Sequence, residues 1–298
     1  MGFKAGYVAI IGRPNVGKST LLNAILGERL AIVTPKPQTT RHRIVGILNE
    51  PDVQVVFLDT PGYHRSDKPL NQAMNEIVDM VIHDADVVCL MLDASSSDLR
   101  IERGLFDRIG RDRCILVANK SDLVDRKKFD EIAHRFRDDW NANEMVFLSA
   151  LRNEGVRTLI DAITARMPEG EAFFPDDIYT SHPVRFIAAE LIREQLFLQM
   201  HQEIPYSTAV EIEEFKDATE NDPITRIKAS IVVEKESQKA MVIGKGGTRI
   251  REIGTRARKA IEELVGGKVF LDLNVRVEKD WTKDPDAIRR LGYSSQME

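Results

Sequence analysis

Short apolar runs alternate with amphipathic stretches through the first half of the chain. The apolar runs end at polar residues, as buried strands do, and apolar positions between them recur about every three to four residues, as in helices. The predicted strands are 7–12, 43–49, 54–59, 86–93, 114–119 and 145–149, and the predicted helices are 18–27, 68–83, 99–110, 127–140 and 155–167. This alternation predicts an α/β fold with a mostly parallel sheet covered on both faces.

The pattern changes after residue 167. Residues 168–183 contain three prolines and several acids, which indicates a linker without regular structure. Beyond it the predicted elements are a helix at 184–203, strands at 207–215 and 226–234, a short helix before a glycine cluster, a basic helix at 247–264 and a strand at 269–277. We therefore predict two unlike domains, 1–170 and 184–298, joined by a linker at 171–183.

Size and composition fit two soluble domains. The chain has 298 residues, of which 43% are hydrophobic and 30% charged. No apolar stretch approaches the roughly 18 residues of a spanning helix, and the first residues carry neither a secretory nor a myristoylation signal. The two cysteines, Cys89 and Cys114, lie inside apolar runs, which favours reduced core residues over metal or disulfide roles. We expect a reducing, cytoplasmic compartment.

A phosphate-binding loop follows the first predicted strand. Gly12, Gly17, Lys18 and Ser19 match the G-x-x-x-x-G-K-[ST] pattern between a strand and a helix. The glycines let backbone N–H groups turn towards phosphate oxygens, Lys18 would reach the β- and γ-phosphates, and Ser19 would bind Mg²⁺. The predicted phosphate-contacting residues also include Arg13, Pro14, Asn15, Val16 and Thr20. This loop alone does not choose between ATP and GTP.

Two later segments favour guanine. Asn119, Lys120 and Asp122 follow a predicted strand, at the sheet edge where ligands bind. The Asp122 carboxylate can accept both guanine donors, N1–H and the 2-amino group, and adenine offers no such pair. Lys120 can cover the base, Asn119 can tie its loop to the phosphate loop, and a further strand end can offer backbone N–H groups to guanine O6. That strand end consists of Ser149, Ala150 and Leu151.

A fourth segment ends the strand at 54–59. Asp59 would hold Mg²⁺, through water, and the Gly62 N–H would face the γ-phosphate. The intervening Thr60 and Pro61 belong to the same predicted nucleotide loop. Tyr63 stands where Ras-like GTPases carry the glutamine that orients the attacking water, and tyrosine cannot act in the same way.

The second half carries a candidate nucleic-acid loop. Gly244 and Gly247 bracket a G-x-x-G loop between two helices, as in KH domains, which clamp single strands of RNA. Residues 239–259 hold seven basic residues against one acid, a net charge of +6. The candidate RNA-binding residues are Ile243, Gly244, Lys245, Gly246, Gly247, Arg249, Ile250 and Arg251, with Arg256 and Arg258 extending the charge. The element order α-β-β-α-α-β is that of a type II KH domain. We expect recognition without aromatic stacking, with Phe270 and Trp281 in the core.

These motifs together resemble the Era family of GTPases. The resemblance covers essentially the whole chain and rests on Pro35–Arg41 as a first switch, VIGKGG in the KH loop and the ending around Trp281 and Tyr293. It implies GTP hydrolysis in which Lys18, Thr40 and Gly62 take part, with Thr40 on Mg²⁺ and Thr39 as the alternative.

The resemblance also implies partners and an activator. The implied partner is the 3′ end of small-subunit ribosomal RNA, bound in the GTP state during assembly of the small ribosomal subunit. K⁺ held partly by Asn15 is the implied activator, and a loop-shaping role for Asn15 remains open. Peripheral contact with the inner face of the cell membrane, without an inserted segment, has been proposed for this family.

Two alternatives remain open from the sequence. The first is an RNA-binding protein whose nucleotide domain is inert, which Tyr63 keeps open. The second is a GTPase whose second domain contacts protein, with the basic run merely solvated. An ATPase is disfavoured because Asp122 has no partner on adenine.

Overall fold

A computed structural model describes residues 2–64 and 66–293. It divides into two compact units. The first unit comprises residues 1–31, 40–66 and 74–181, and the second comprises 32–39, 67–73 and 182–298. Short segments at 32–39 and 67–73 are thus grouped with the C-terminal part of the chain.

The first unit is built on a six-stranded sheet. Its strands are β1 (Lys4–Gly12), β2 (Ile44–Glu50), β3 (Val53–Asp59), β4 (Val87–Asp93), β5 (Cys114–Asn119) and β6 (Met145–Phe147). The strand order is β2-β3-β1-β4-β5-β6, in which β2 pairs antiparallel with β3 and every other pair is parallel. The predicted mostly parallel sheet is confirmed.

Helices follow the strands in the predicted alternation. They are α1 (Lys18–Leu26), α2 (Pro69–Asp84), α3 (Arg100–Ile109), α4 (Arg126–His134) and α5 (Val156–Arg166). The predicted helix 127–140 is helical to Asp139, but its second half, Arg135–Asp139, is a π-helical turn and not an α-helix. This turn still brings Phe136 and Trp140 into the core.

The strands at the centre of the sheet are buried on both faces. Every residue of β3 is buried, and the core joins strand residues such as Val56 and Leu90 to helix residues such as Val78 and Leu105. Cys89 and Cys114 are buried free thiols in β4 and β5, as predicted. No helix in the described ranges has both the length and the apolar character that a bilayer crossing requires.

The segment after α5 runs beside the edge strand β2. The amide N–H groups of Phe173 and Phe174 both donate to Gln54 Oε1, at 2.7 and 3.0 Å. Further along, the Ile47 N–H donates to the Tyr179 carbonyl at 2.8 Å. The bond to Tyr179 thereby occupies a backbone N–H that the edge strand would otherwise expose.

The second unit has the predicted α-β-β-α-α-β order. Its elements are α6 (Val184–Gln199), β7 (Ala209–Lys216), β8 (Ile224–Val233), α7 (Glu236–Ile243), α8 (Thr248–Val265) and β9 (Lys268–Val277), followed by α9 (Pro285–Arg290). The sheet order is β7-β8-β9, antiparallel and then parallel. Helix α9 was not predicted.

One predicted core residue of this unit is wrong. Trp281 is fully buried among residues such as Val232 and Ile288, as expected. Phe270, by contrast, is 54% exposed on β9, with the Arg226 guanidinium 5.8 Å from its ring centre. The neighbouring Val269 faces the opposite side of the strand and is buried, so the side-chain alternation of a strand places Phe270 outward.

Candidate nucleotide site and nucleic-acid interface

The phosphate loop is held by backbone conformations that require glycine. Gly12 (φ 152°) packs so tightly that an added Cβ would lie 2.3 Å from the Met91 carbonyl oxygen. At Gly17 (φ 99°) the same atom would lie 2.2 Å from Asn119 Nδ2. Asn15 also has a positive φ, 62°. The loop is therefore pre-shaped against two neighbouring strand ends.

Lys18 is buried at the base of this loop. Its Nζ donates to the carbonyl oxygens of Gly12 (3.3 Å) and Arg13 (3.1 Å). Burial lowers the pKa of Lys18 to about 8, although the Asp59 carboxylate opposes this. A polyphosphate bound here would supply the negative charge that favours the protonated lysine.

Three side-chain oxygens converge beside Lys18. Ser19 Oγ donates to Asp59 Oδ2 at 2.6 Å and lies 2.8 Å from Thr40 Oγ1. The other carboxylate oxygen, Asp59 Oδ1, is buried and has no hydrogen-bond partner within the described part of the chain. Burial raises the pKa of Asp59 to about 6, partly opposed by Lys18 and Ser19. A cation would stabilise this carboxylate, and a cluster of hard oxygen donors fits Mg²⁺.

The structure distinguishes the two candidate switch threonines. Thr40 Oγ1 joins the cluster around Ser19. Thr39 Oγ1 instead contacts Thr34 Oγ1 at 2.6 Å and donates to the Lys36 carbonyl at 2.8 Å. Thr40 is thus the threonine placed to reach a metal.

The loop after β3 folds over the phosphate loop. Thr60 donates to the Ile10 carbonyl at 2.9 Å, and Pro61 and Gly62 are buried. An added Cβ at Gly62 would lie 2.6 Å from Pro14. Because glycine permits this approach, the Gly62 backbone lies directly against the phosphate loop.

Tyr63 is part of the packed structure. Its N–H donates to the Gly12 carbonyl at 3.0 Å, and its side chain packs on the core of the first unit. The Arg108 guanidinium lies 5.6 Å from the ring centre and forms an ion pair with Asp79 at 2.8 Å. Tyr63 offers no carboxamide to orient water, as expected from the sequence.

Asn119 joins the base loop to the phosphate loop. Its Nδ2 donates to the Val16 carbonyl at 2.7 Å, and its Oδ1 accepts from the Ala150 N–H at 2.9 Å. The neighbouring Lys120 pairs with Asp93 at 2.6 Å. One amide therefore holds three loops of the site together.

Asp122 projects from the same loop. It is 8% exposed and lies 3.4 Å from Arg152 Nε. Of the three N–H groups expected to face guanine O6, two already have acceptors: Ser149 donates to the Glu154 carbonyl at 2.9 Å, and the following alanine donates to Asn119. Of these three groups, the Leu151 N–H has no acceptor among the described residues, so it is the one that we expect to donate to guanine O6.

Arg13 and Thr20 border the phosphate loop. The Arg13 side chain turns away towards α3, where it donates to the Asp98 carbonyl at 3.0 Å and lies 3.8 Å from the buried Glu102. Thr20 follows Ser19 in the first turn of α1. Arg13 can thus contribute its backbone to a phosphate site, but its guanidinium is engaged elsewhere.

The G-x-x-G loop of the second unit has three glycines in the left-handed region. They are Gly244 (φ 73°), Gly246 (φ 61°) and Gly247 (φ 73°), and Lys245 is exposed between them. An added Cβ at Gly244 would lie 2.8 Å from Arg249 Cβ. The loop therefore presents an exposed, cationic backbone turn that a larger residue at position 244 would distort.

Both helices that follow the glycine loops begin without a side-chain cap. Helix α1 starts after Gly17 and α8 after Gly247. By contrast, α4 is preceded by the N-cap Asp125, whose carboxylate accepts from a first-turn N–H. Unsatisfied N–H groups at a helix start favour anions, so both loops suit phosphate oxygens.

Two predicted RNA-binding arginines stabilise the loop itself. Arg249 donates to the Met241 carbonyl at 3.0 Å. Arg251 donates to the carbonyls of Gly247, at 3.1 Å, and Gly246. Their charge remains at the loop, but their hydrogen bonds are used within the chain.

A cavity of about 250 Å³ lies along α8 beside β9. Two of the candidate RNA-binding residues, Ile250 and Arg251, line it, whereas a third, Ile243 at the end of α7, is not among its lining residues. The lining residues that the sequence analysis missed are Gly254, Thr255, Arg258 (named there for charge alone), Leu271 and Leu273.

Two residues of the nucleotide site, Asp93 and Arg152, were not predicted from the sequence, and only the first could have been. Asp93 ends β4 and pairs in register with Asn119, so the rule that ligand groups follow parallel strands would have found it. Arg152 carries no such signal, because it lies in a loop whose path the sequence pattern does not give. The same applies to Leu271 and Leu273, which are ordinary strand residues by pattern.

Comparison with known proteins agrees with both halves of the chain. A family model described as a 50S ribosome-binding GTPase matches residues 7–120, and a KH domain model matches residues 203–282. The chain is 46% identical over 294 residues to GTPase Era of Syntrophus aciditrophicus (strain SB), covering 98% of this chain and 96% of that protein. It is 44% identical over 294 residues to GTPase Era of Geobacter metallireducens, covering 98% of each.

Two solved structures are similar over nearly their whole length. One is Era in complex with MgGDPNP and nucleotides 1506–1542 of 16S ribosomal RNA, at 38% identity and a TM-score of 0.92, covering 98% of this chain and 99% of that one. The other is a variant of Aquifex aeolicus Era bound to GDP·AlF4⁻, at 37% identity and a TM-score of 0.92, covering 98% and 100%.

Proposed function

The chain belongs to the Era family of GTPases, and from this premise we propose that it acts as a GTP-controlled switch in assembly of the small ribosomal subunit. In this proposal it binds the 3′ end of small-subunit ribosomal RNA in its GTP state and releases it after hydrolysis. The observation that carries the proposal is the pairing, in one chain, of the Ser19–Thr40–Asp59 cluster with the G-x-x-G loop.

Hydrolysis would rest on positioning and charge stabilisation. Lys18 would hold the β- and γ-phosphates, and the Gly62 N–H would donate to the γ-phosphate as charge develops on it. Ser19, Thr40 and Asp59 would hold Mg²⁺, which neutralises phosphate charge when bound. The orphaned oxygen of Asp59 and the related structure with MgGDPNP support this assignment.

K⁺ is the activator we propose for hydrolysis. Tyr63 supplies no water-orienting group, and the exposed Asn15 stands in the phosphate loop at a positive φ. We expect GTP turnover to be at least about tenfold faster in K⁺ than in Na⁺ at equal ionic strength.

Replacing Asn15 with alanine tests this proposal. The Asn15→Ala variant should lose the K⁺ stimulation and keep its GDP affinity. Asn143→Ala, which removes an exposed asparagine that pairs with Asp112, is the control. Unchanged K⁺ stimulation in Asn15→Ala would leave Asn15 as a loop-shaping residue.

RNA binding is supported by the shape and charge of the second unit. Lys245 is exposed in the loop, and the cavity beside α8 offers apolar walls for a base and Arg258 for a phosphate or base edge. The related structure that contains 16S ribosomal RNA supports the same target for this chain. Location in the cytoplasm and peripheral membrane contact stay predictions.

The test is binding of a labelled single-stranded RNA that matches the 3′ end of small-subunit ribosomal RNA. Binding is compared in GDP and in a non-hydrolysable GTP analogue, in K⁺ buffer. We expect tight binding with the analogue, weak binding with GDP and loss of binding in Gly244→Asp, whose GTP hydrolysis without RNA stays unchanged.

Gly266→Asp is the matched control for this experiment. It introduces the same charge at a similar positive φ, 64°, at the far end of α8, where no atom lies within 4 Å of an added Cβ. Failure of the wild type to bind RNA in either nucleotide state would refute the RNA function and leave the GTPase. Such a result would favour a protein partner for the second unit.

A further inference from the structure

The segment that precedes Thr40 is held by helix α6 of the second unit. We refer to residues 33–39 as the switch segment. The Val33 N–H donates to Glu194 Oε1 at 3.4 Å. The Lys36 ammonium donates to the carbonyls of Phe197 and Met200, at the end of α6. The two Lys36 contacts satisfy carbonyls that a helix end otherwise leaves without partners.

Arg193 makes the innermost contact of this set. It is 1% exposed, and its NH1 donates to the Thr39 carbonyl. Its Nε and NH2 donate to the two carboxylate oxygens of Glu190, the first at 2.8 Å. The guanidinium also lies 5.3 Å from the centre of the Phe197 ring. A planar fork can satisfy a carboxylate and a carbonyl at once, and a lysine ammonium cannot reproduce that geometry.

The Thr39 carbonyl belongs to the peptide bond that leads into Thr40. Because that bond is planar, a partner that fixes the carbonyl also fixes the orientation in which the chain enters Thr40. Thr40 Oγ1 in turn lies 2.8 Å from Ser19 Oγ, in the cluster suited to Mg²⁺. Arg193 is thereby connected to the metal cluster through one peptide group.

We propose that Arg193 is a positioning residue for Thr40, and that helix α6 senses the nucleotide state through the Thr39 carbonyl. The part that concerns RNA rests on the proposed function. Thr40 can engage Mg²⁺ and the γ-phosphate in the GTP state, and GDP has no γ-phosphate to engage. The bond from Arg193 to Thr39 therefore favours GTP over GDP.

Helix α6 is also connected to the RNA-binding helices. It packs against α8, and Leu196 shares a core cluster with Val242 of α7 and Ile253 of α8. If the nucleotide state biases α6, RNA bound at the G-x-x-G loop must bias nucleotide affinity by the same factor, because coupling free energies are reciprocal.

The main variant is Arg193→Lys, with Arg185→Lys as its matched control. Arg185 lies on the same helix, and its NH2 donates to the Ile212 carbonyl at 3.1 Å, away from the switch segment. The first measurement is the ratio of affinities for a fluorescent GTP analogue and GDP, with Mg²⁺ present and no RNA. We expect Arg193→Lys to lower the preference for the analogue about tenfold and to leave GDP affinity unchanged.

The second measurement repeats RNA binding in the two nucleotide states. In Arg193→Lys the ratio of RNA affinities should fall towards one, and in Arg185→Lys it should equal the wild-type ratio. Equal weakening of GDP and the analogue by Arg193→Lys would mean that Arg193 supports the fold alone, and would overturn the proposal. If the wild type binds RNA equally well in both nucleotide states, the proposed RNA function fails. The first measurement, made without RNA, still tests whether Arg193 positions Thr40.

Two further variants test the same proposal if Arg193→Lys does not fold. The double variant Glu190→Gln/Arg193→Gln removes both charges and leaves neither buried without a partner. Lys36→Met removes the contacts at the end of α6 and keeps the buried pair. We expect a reduced analogue preference in both, smaller in Lys36→Met. Wild-type preference in whichever of these variants folds, checked by circular dichroism, would overturn the proposal.

Discussion

At the scale of single residues, base selectivity rests on the Asp122 carboxylate. This side chain is 8% exposed and forms an ion pair with Arg152 at 3.4 Å. In Asp122→Asn an amide NH2 would face the N1–H or the 2-amino group of guanine, leaving donor against donor. We expect GTP affinity to fall about 10- to 100-fold, and xanthosine triphosphate, which has an oxygen at position 2, to bind better than in the wild type.

Displacement of bound fluorescent GDP by GTP and by xanthosine triphosphate measures this change in nucleotide preference. Asp130→Asn serves as the control, because Asp130 is exposed on α4 and pairs with Arg126 away from the base loop. A variant that still prefers GTP by the wild-type margin would refute the assignment of Asp122 to the base.

Single residues also show what sequence patterns cannot predict. The motifs predicted which loops meet, because parallel strands end at one edge of a sheet. They left Thr39 and Thr40 as alternatives, and the choice depends on what each hydroxyl contacts: Thr34 and the Lys36 carbonyl for Thr39, Ser19 for Thr40. Two adjacent polar residues give no such information in a sequence.

At the scale of secondary structure, the sequence indicates where α4 begins but not where it ends. Its N-cap, Asp125, accepts from the Lys128 N–H at 2.8 Å. The apolar period continues through Phe136 to Trp140, and for that reason the sequence predicted one helix. The π-helical turn adds a residue to the local hydrogen-bonded ring without interrupting this apolar pattern, so periodicity alone cannot reveal it.

Removing the cap of α4 should destabilise the first unit. We expect Asp125→Ala to lower its unfolding free energy by about 1 kcal/mol, because a first-turn N–H loses its acceptor. Urea unfolding, followed by the fluorescence of Trp140 in a Trp281→Phe background, measures the change in this unit, because Trp281, the other tryptophan, lies in the second unit. Asp130→Ala, which breaks only an exposed pair on the same helix, should cost a few tenths of a kcal/mol. Equal effects of the two variants would contradict the capping role.

At the scale of the whole molecule, element order predicted both architectures. Alternating strands and helices indicated the parallel sheet, and the change to α-β-β-α-α-β indicated a second domain. The grouping of residues 32–39 and 67–73 with the second unit was not predictable, because it depends on tertiary partners far away in sequence, such as Arg193 for Thr39. Local patterns encode which face of an element is apolar, but not which distant element covers it.

The charge of the second unit leads to a prediction about salt. Of the seven basic residues in 239–259, three use their guanidinium groups on acceptors within the chain: Arg249, Arg251 and Arg256. The side chains of the remaining four have no hydrogen-bond or ionic partner among the described residues: Lys239, Lys245, Arg258 and Lys259. If these four replace counterions on a single strand, the logarithm of the RNA affinity should fall with the logarithm of salt at a slope of about −3.

Titrations of RNA binding in increasing NaCl, at constant K⁺ so that nucleotide hydrolysis chemistry is unaffected, would measure this slope. Arg258→Gln should make it less steep by about 0.7, and Arg256→Gln should change it less, because Arg256 already pairs with Glu252 at 2.7 Å. A slope near −5 would instead mean that the three paired arginines leave their intramolecular acceptors when RNA binds, since all seven basic residues would then neutralise phosphates. In that case the G-x-x-G loop would have to rearrange, because Arg251 is bonded to its carbonyls.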